Sequence, residues 1–379
     1  MFDYGILRLI WWAVLGVLLM GFAIMDGFDM GAMSLMPFIG RSDSERRVII
    51  NTVGPVWEGN QVWLILGGGA IFAAWPYLYA VAFSGFYLAM FAVLCSLILR
   101  PVGFKFRSKM PDARWRSFWD GCLFIGGTAP PLIFGVAFGN AIEGVPFTFD
   151  QDLRMTYIGT FFGLLNPFAL LCGLVSLCMI LLQGASWLAV KTEGDVQRRA
   201  RRAIVNFTMV TPILFLLAGL WAGSAMEGYR ILSLIDPHGP SNPLLKLVAR
   251  APGAWMDNYN HKPVTLLVPS LIAIAAGMAL WGVASRKHVI AFIGSSLMQM
   301  SVIGTAGVSM FPFLLPSSID PNASLTVWDA SSSRGTLVTM TLVTIVFLPI
   351  VLVYTSWVYY VLRGKVTAAM IKKQGDSLY

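Results

Sequence analysis

The residues best placed to do chemistry lie between two tryptophans, in Trp57-Glu-Gly-Asn-Gln-Val-Trp63. A carboxylate (Glu58) and two amides (Asn60, Gln61) stand at the start of an apolar run, and three glycines (Gly67, Gly68, Gly69) follow inside it. On a helix Glu58 and Gln61 share one face. A carboxyl can accept and release protons, whereas Asn and Gln cannot titrate but can orient water. Trp63 lies about one and a half turns beyond Glu58. Asp26 and Asp29 form a second pair, i,i+3, in a run that stays apolar to Phe38. Acids in such a run need partners or water. They are either carboxylates paired with an arginine such as Arg100 or part of a cation or proton path. Arg100-Pro101 closes the third apolar run, as proline commonly follows a helix end. Asp120, beside Trp119, is expected to open the fourth helix, where a carboxylate complements the N-terminal dipole.

Other chemistries lack their residues. The three histidines, His238, His261 and His288, are expected in loops, whereas a membrane haem takes its axial histidine from within the bilayer region. Cys95, Cys122, Cys172 and Cys178 sit in apolar segments without metal spacing and read as small buried hydrophobes. The sequence has no P-loop, dinucleotide fingerprint or nucleophile elbow. No catalytic residue and no metal site is expected in this chain.

The elements that must position these residues are membrane helices. The 379 residues are 57% hydrophobic and 12% charged, about half the charge of an average soluble domain. The net charge of +8 has no soluble domain to cluster on, which argues against nucleic acid as a partner. The start, Met1-Phe-Asp-Tyr, has no basic n-region, so the first apolar run is expected to be a retained helix. Nine apolar runs have roughly the 20 residues a crossing needs. They fall near 8–28, 58–75, 78–99, 120–141, 158–188, 203–225, 264–284, 289–314 and 336–361. Alternate loops and the C-terminal tail carry 20 of the 27 Lys and Arg. The positive-inside rule then puts the N-terminus outside and the C-terminus in the cytoplasm. Trp11, Trp12, Trp75, Tyr77, Tyr79, Trp357, Tyr359 and Tyr360 read as an interfacial belt.

A weak internal repeat pairs Asp26-Gly27, ahead of Glu45-Arg-Arg47, with Gln183-Gly184, ahead of Gln197-Arg-Arg199. The expected fold is all-α and polytopic: two four-helix bundles (residues 1–142 and 143–314), then a loop, a peripheral ninth helix and the tail (315–379).

Motifs along the whole chain resemble subunit II of the bacterial cytochrome bd-type quinol oxidases. They include Asp26-Gly-Phe-Asp-Met-Gly31, Trp57-Glu-Gly-Asn-Gln-Val-Trp63, Phe72-Ala-Ala-Trp-Pro76, Ala82-Phe-Ser-Gly-Phe-Tyr87 and Arg100-Pro-Val-Gly-Phe104. Further on come Gly135-Val-Ala-Phe-Gly-Asn140, Leu165-Asn-Pro-Phe168, Met310-Phe-Pro-Phe313, Asn322-Ala-Ser-Leu-Thr-Val-Trp-Asp329 and the terminal Ser377-Leu-Tyr379. The resemblance implies a haem-free subunit in the bacterial inner membrane. Its partner, subunit I, would carry haem b and haem d, oxidise quinol and reduce dioxygen to water with protons from the cytoplasm. It also implies proton-route residues at Glu58, Asn60 and Gln61, oxygen access beside Trp63, and the capacity to hold a structural quinone. Small accessory subunits can join such a complex. Relatives can carry Asp at position 58, one methylene shorter than Glu58. From the residues alone two rivals stay open: a secondary transporter binding substrate between its own halves, and a pure assembly scaffold.

Overall fold

Side chains at the helix starts set where the elements begin. The computed structural model describes residues 3–374, so the Ser377–Tyr379 motif lies outside the described residues. Asp3 caps α1 (Tyr4–Ile39) by accepting from the Ile6 N–H at 2.9 Å. Ser42 and Glu45 close a capping box on α2 (Asp43–Val53). Then come α3 (Trp57–Ala74), α4 (Pro76–Gly85), α5 (Tyr87–Phe106) and α6 (Ala113–Glu143). Asn166 caps α7 (Pro167–Lys191), accepting from the Ala169 N–H at 2.7 Å, and Pro167 occupies the first-turn position where its missing N–H costs nothing. The chain continues through α8 (Gly194–Ser224), a short α9 (Asp257–His261), α10 (Leu267–Ala284), α11 (His288–Met310), α12 (Arg334–Val361) and α13 (Ala368–Gln374).

Among the described residues, eight helices are long and apolar enough to cross a membrane: α1, α5, α6, α7, α8, α10, α11 and α12. The chain is a multi-pass, predominantly helical membrane protein. The remaining expected span corresponds to α3, whose 18 residues begin with the polar turn around Glu58 and Asn60.

Helix α1 is the hub. It packs on α3, α6, α7 and α11. Its contact with α7 brings backbone against backbone: a β-carbon at Gly31 would lie 2.1 Å from the Ile180 carbonyl oxygen, and one at Gly184 would lie 2.2 Å from the Gly31 carbonyl carbon. Only glycine permits that crossing, and close approach of small residues is how helices associate within lipid. Helix α12 lies chiefly against α1 and α3, with most of its length facing outward.

The bundle has two unlike ends. The basic end holds α2, α13 and the short turns after α5, α7 and α10; its core includes Phe28, Ile49, Trp57, Trp187 and Met298. The ribbon end carries three two-stranded antiparallel ribbons: β1 (Phe147–Phe149) with β2 (Met155–Tyr157), β3 (Glu227–Ile231) with β4 (Val248–Pro252), and β5 (Phe313–Leu315) with β6 (Leu325–Thr326). Beneath them Leu7, Trp11, Trp75, Phe147 and Val327 form a second core.

Several expectations change in detail. The fifth apolar run does not become helical at 158, because Ile158–Leu165 is apolar loop with one 3-10 turn, and the helix waits for the Asn166-Pro167 cap. The third run is broken at Phe86, between α4 and α5. Asp120 does not open its helix: α6 starts two turns earlier, where Asp112 accepts from the Arg114 and Trp115 N–H groups. The polar turn from Arg114 to Asp120 hid that start from a hydropathy reading. His288 is the first residue of α11 and His261 the last of α9, so only His238 sits in irregular chain. Of the expected belt, Trp11 and Trp75 are buried in the ribbon-end core.

Candidate functional site

Four helices bring the polar residues together inside the bundle. Asp26 and Asp29 project from one face of α1, and Arg100 comes from α5, its stem lying on Gly126 of α6. All three side chains are fully buried. Arg100 grips Asp26 with both prongs of its guanidinium, Nη2 to Oδ1 at 2.6 Å and Nη1 to Oδ2 at 3.1 Å, while Asp29 Oδ2 stands 3.9 Å away. The planar fork matches a carboxylate in this way, and a fully desolvated pair of this kind holds its helices in one register.

Asp29 takes its hydrogen bond from α3 instead. Asn60 Nδ2 donates to Asp29 Oδ2 at 2.8 Å, and Asn60 Oδ1 accepts from the Tyr359 hydroxyl of α12 at 2.6 Å. The amide is thus spent at both ends, one on each neighbour. The other Asp29 oxygen has no partner among the described residues. Tyr359 rests among the rings of Phe28 and Trp187, so it belongs to this cluster and not to the interfacial belt. Tyrosines near a helix end carry the same sequence pattern in either role; only the position of α3 beside α12 separates them.

The three polar residues of α3 do not share one face. Residues 58 and 60 are two apart and so point to opposite sides of a helix. Asn60 faces inward to α1 and α12; Glu58 is exposed and makes no ion pair among the described residues, and Gln61 is half-buried. Trp63 is half-buried, its ring lying over Gly21 of α1; a β-carbon there would come within 2.4 Å of the indole.

Asp120 belongs to a separate network at the basic end. It receives Arg107 at 2.5 and 3.1 Å and Arg46 at 2.7 Å, while Asp43 joins Arg107 at 2.9 Å and Arg116 at 2.8 Å. These bonds lock α2 to the ends of α5 and α6. Nearby, Arg199 of α8 reaches Glu45 at 2.6 Å. Burial pushes the Glu45 carboxyl up, but Arg199 and the Arg41 and Ser42 N–H groups outweigh it and hold the carboxyl below its ordinary range.

Sequence reasoning also passed over a polar knot in the other half. Gln183 of α7 accepts from Ser295 at 2.6 Å, and donates to Ser296 at 3.0 Å and to the Ile24 carbonyl of α1 at 3.2 Å. Toward the ribbon end an apolar cavity of about 610 Å³ lies between α1, α6, α7, α8, α10 and α11. Phe22, Phe134 and Phe215 line its walls, with Trp255, Tyr259 and Ser309 near the ribbons.

His261 Nδ1 is taken by the Asp257 carbonyl at 2.7 Å, His238 sits beside Asp3 at 3.4 Å, and both are at the surface. Among the described residues, no group of three or more His, Cys, Asp or Glu could hold a metal ion.

These features define a polytopic helical membrane protein with a buried acid–arginine cluster joining four of its helices. The family profile of cytochrome bd terminal oxidase subunit II matches residues 7–362. The chain is 50% identical to cytochrome bd-I ubiquinol oxidase subunit 2 of Escherichia coli K12 over 379 residues, the whole of both chains. It is 30% identical to cytochrome bd ubiquinol oxidase subunit 2 of Bacillus subtilis, covering 94% of this chain and 96% of that one. A chain of the bd oxidase structure from Geobacillus thermodenitrificans shares the fold, with a TM-score of 0.69 at 17% identity, covering 94% of this chain and 98% of that one. The chain therefore belongs to the cytochrome bd terminal oxidase subunit II family. It is a subunit of a membrane oxidoreductase complex whose partner is a subunit I, and the transporter alternative is set aside.

Proposed function

We propose that this chain is the haem-free partner of a haem-bearing subunit I in a bacterial inner-membrane quinol oxidase, and that Glu58 relays protons from the cytoplasm toward the oxygen-reducing centre. In this reading haem b and haem d belong to subunit I, where quinol is oxidised and dioxygen reduced to water. The observation that carries the relay is the position of Glu58: an exposed carboxyl, free of any ion pair among the described residues, on the outward face of α3 near its basic end. Three other acids singled out in the sequence, Asp26, Asp29 and Asp120, are engaged with arginine or amide partners. Glu58 takes up the proton and releases it; Gln61, on the same face, orients the water that carries it. Asn60 sets the rotation of α3 through its bonds to Asp29 and Tyr359, and so aims Glu58. Trp63, further along α3, flanks a lateral route for oxygen, a small apolar molecule that partitions into lipid.

Nine crossings complete the scheme, with α3 as the second, the N-terminus periplasmic and the C-terminus cytoplasmic. The concentration of Lys and Arg at the α2 end supports that orientation. Two four-helix units, residues 1–142 and 143–314, with α12 as the ninth helix, are supported by recurrent pairings. In the first unit α1 packs on α3 and α6, and α5 on α6; in the second α7 packs on α8 and α11, and α10 on α11. The 610 Å³ apolar cavity suits a structural quinone, its ring near Tyr259 and Ser309 and its tail among the phenylalanines.

The test is the pair Glu58→Gln and Glu58→Asp in the assembled, haem-replete oxidase. Gln keeps volume and hydrogen bonding but cannot titrate. The relay predicts slowed oxygen reduction with Gln and near-normal turnover with Asp. Full turnover by the Gln variant from pH 6 to 9 would reduce Glu58 to a packing residue and favour the scaffold reading.

A further inference from the structure

One polar group beside the Gln183 knot is left without any answer. Gln299 lies one turn beyond Ser295 and Ser296 on α11; it is fully buried, and neither its amide oxygen nor its amide nitrogen has a partner among the described residues. It sits over Gly27 of α1. A β-carbon built on Gly27 would stand 3.7 Å from Gln299 Oε1 and 3.9 Å from Nε2, so the amide lies in ordinary contact range of the bare α1 backbone. Ile180 of α7 closes the third side, with Cδ1 only 2.7 Å from the same point.

An amide offers two donors and an acceptor with two lone pairs. Leaving all of them unmet in an apolar interior is costly, and buried amides are accordingly bonded either to protein or to ordered water. Other side chains flank Gln299 in both directions along the bundle. Ala23, Met30, Met179 and Ile180, with Val302 and Ile303, form an apolar cluster beside it that also borders the 610 Å³ cavity. Toward the basic end Gln183, Ser295 and Ser296 satisfy one another.

We infer that Gln299 is an internal water-binding site in the middle of the bundle, where α1, α7 and α11 meet. Its ligand is water and not a cation. The closest acid in sequence to Gly27, Asp26, has both oxygens committed to Arg100, and a single amide oxygen is a poor cage for an ion. The bound water lets an amide persist where the bundle is otherwise apolar. It also gives the second half an uncharged polar centre, as Asp26, Asp29 and Arg100 give the first half a charged one.

The experiment is a structure of the intact two-subunit oxidase at a resolution that shows ordered water, for the unaltered protein and for Gln299→Leu. The expected result is water density within about 2.7–3.2 Å of a Gln299 amide atom, lost in the Leu variant. Direct bonding of the amide to Gln183 or to a carbonyl of α1 with no water, a dry site, or density that persists unchanged in the Leu variant would each overturn the inference. Should the Leu variant fail to assemble, Gln299→Met, which is unbranched and apolar, serves in its place with the same outcomes.

Discussion

Removing the charge of Arg100 should cost this protein more stability than any other single change within the bundle. Arg100→Met keeps an aliphatic stem against Gly126 and deletes only the guanidinium. Asp26 then loses both of its hydrogen bonds, at 2.6 and 3.1 Å, and two acids are left buried with Asn60 as the remaining donor, on Asp29. Stranding one partner of a buried pair costs about 3–5 kcal/mol. Asp26→Asn should cost less, about 2 kcal/mol, because Asn still accepts one bond and Arg100 still has Asp29 at 3.9 Å. The informative variant is the double one. Arg100→Met with Asp26→Asn leaves a single buried acid, so its cost should fall short of the sum by at least about 1.5 kcal/mol. Denaturation of the assembled oxidase in mild detergent, followed by tryptophan fluorescence, measures all three. Costs that add to within about 0.5 kcal/mol would show that the fork is not coupled and that the reasoning is wrong.

Tyr359→Phe removes the hydroxyl donated to Asn60 but keeps the ring beside Phe28 and Trp187; the same denaturation assay should show a loss of about 0.5–1.5 kcal/mol. Gly21→Leu should push the Trp63 indole off α1; if that ring flanks oxygen entry, recombination of oxygen after photolysis changes with the haem content intact, and unchanged rates assign Trp63 to packing. Glu45 titrates below its ordinary range in the folded chain, so its contribution is complete above about pH 4.5 and is lost as pH falls through the lower folded value. Arg199→Gln should therefore shrink the acid-induced loss of stability below pH 4.5 without altering stability differences between pH 6 and 8. Reporter fusions at residues 150 and 240 should read periplasmic and those at 108 and 196 cytoplasmic; opposite readings at two or more would discard the nine-crossing scheme.

The sequence by itself determined the class of molecule and most of its helices. A bilayer excludes unpaired backbone, so long apolar runs can only be helices, and their basic loops carry the orientation signal. Caps such as Asn166-Pro167 are local and therefore legible, although the apolar loop ahead of them concealed where α7 begins. Asp26 and Asp29 were legible as acids in need of partners, with Arg100 named among the candidates, because a charge in such a run is conspicuous whatever its partner.

Only the tertiary structure decided how those groups divide. Sequence spacing put Glu58 with Gln61 but could not say which side of α3 faced α1; the packing turned Asn60 inward and Glu58 outward. Tyr359 is 299 positions from Asn60, and nothing local distinguishes a tyrosine that donates to a buried amide from one that sits at a lipid interface. In the sequence Gln183 stands out only through its match to Asp26 in the weak repeat, and nothing local marks Gln299. Their meaning depends on Gly27, Gly31 and Gly184, which let three helices approach closely enough to bury an amide. Local patterns fix what each segment can be; which side chains meet is settled by how closely the backbones can pack.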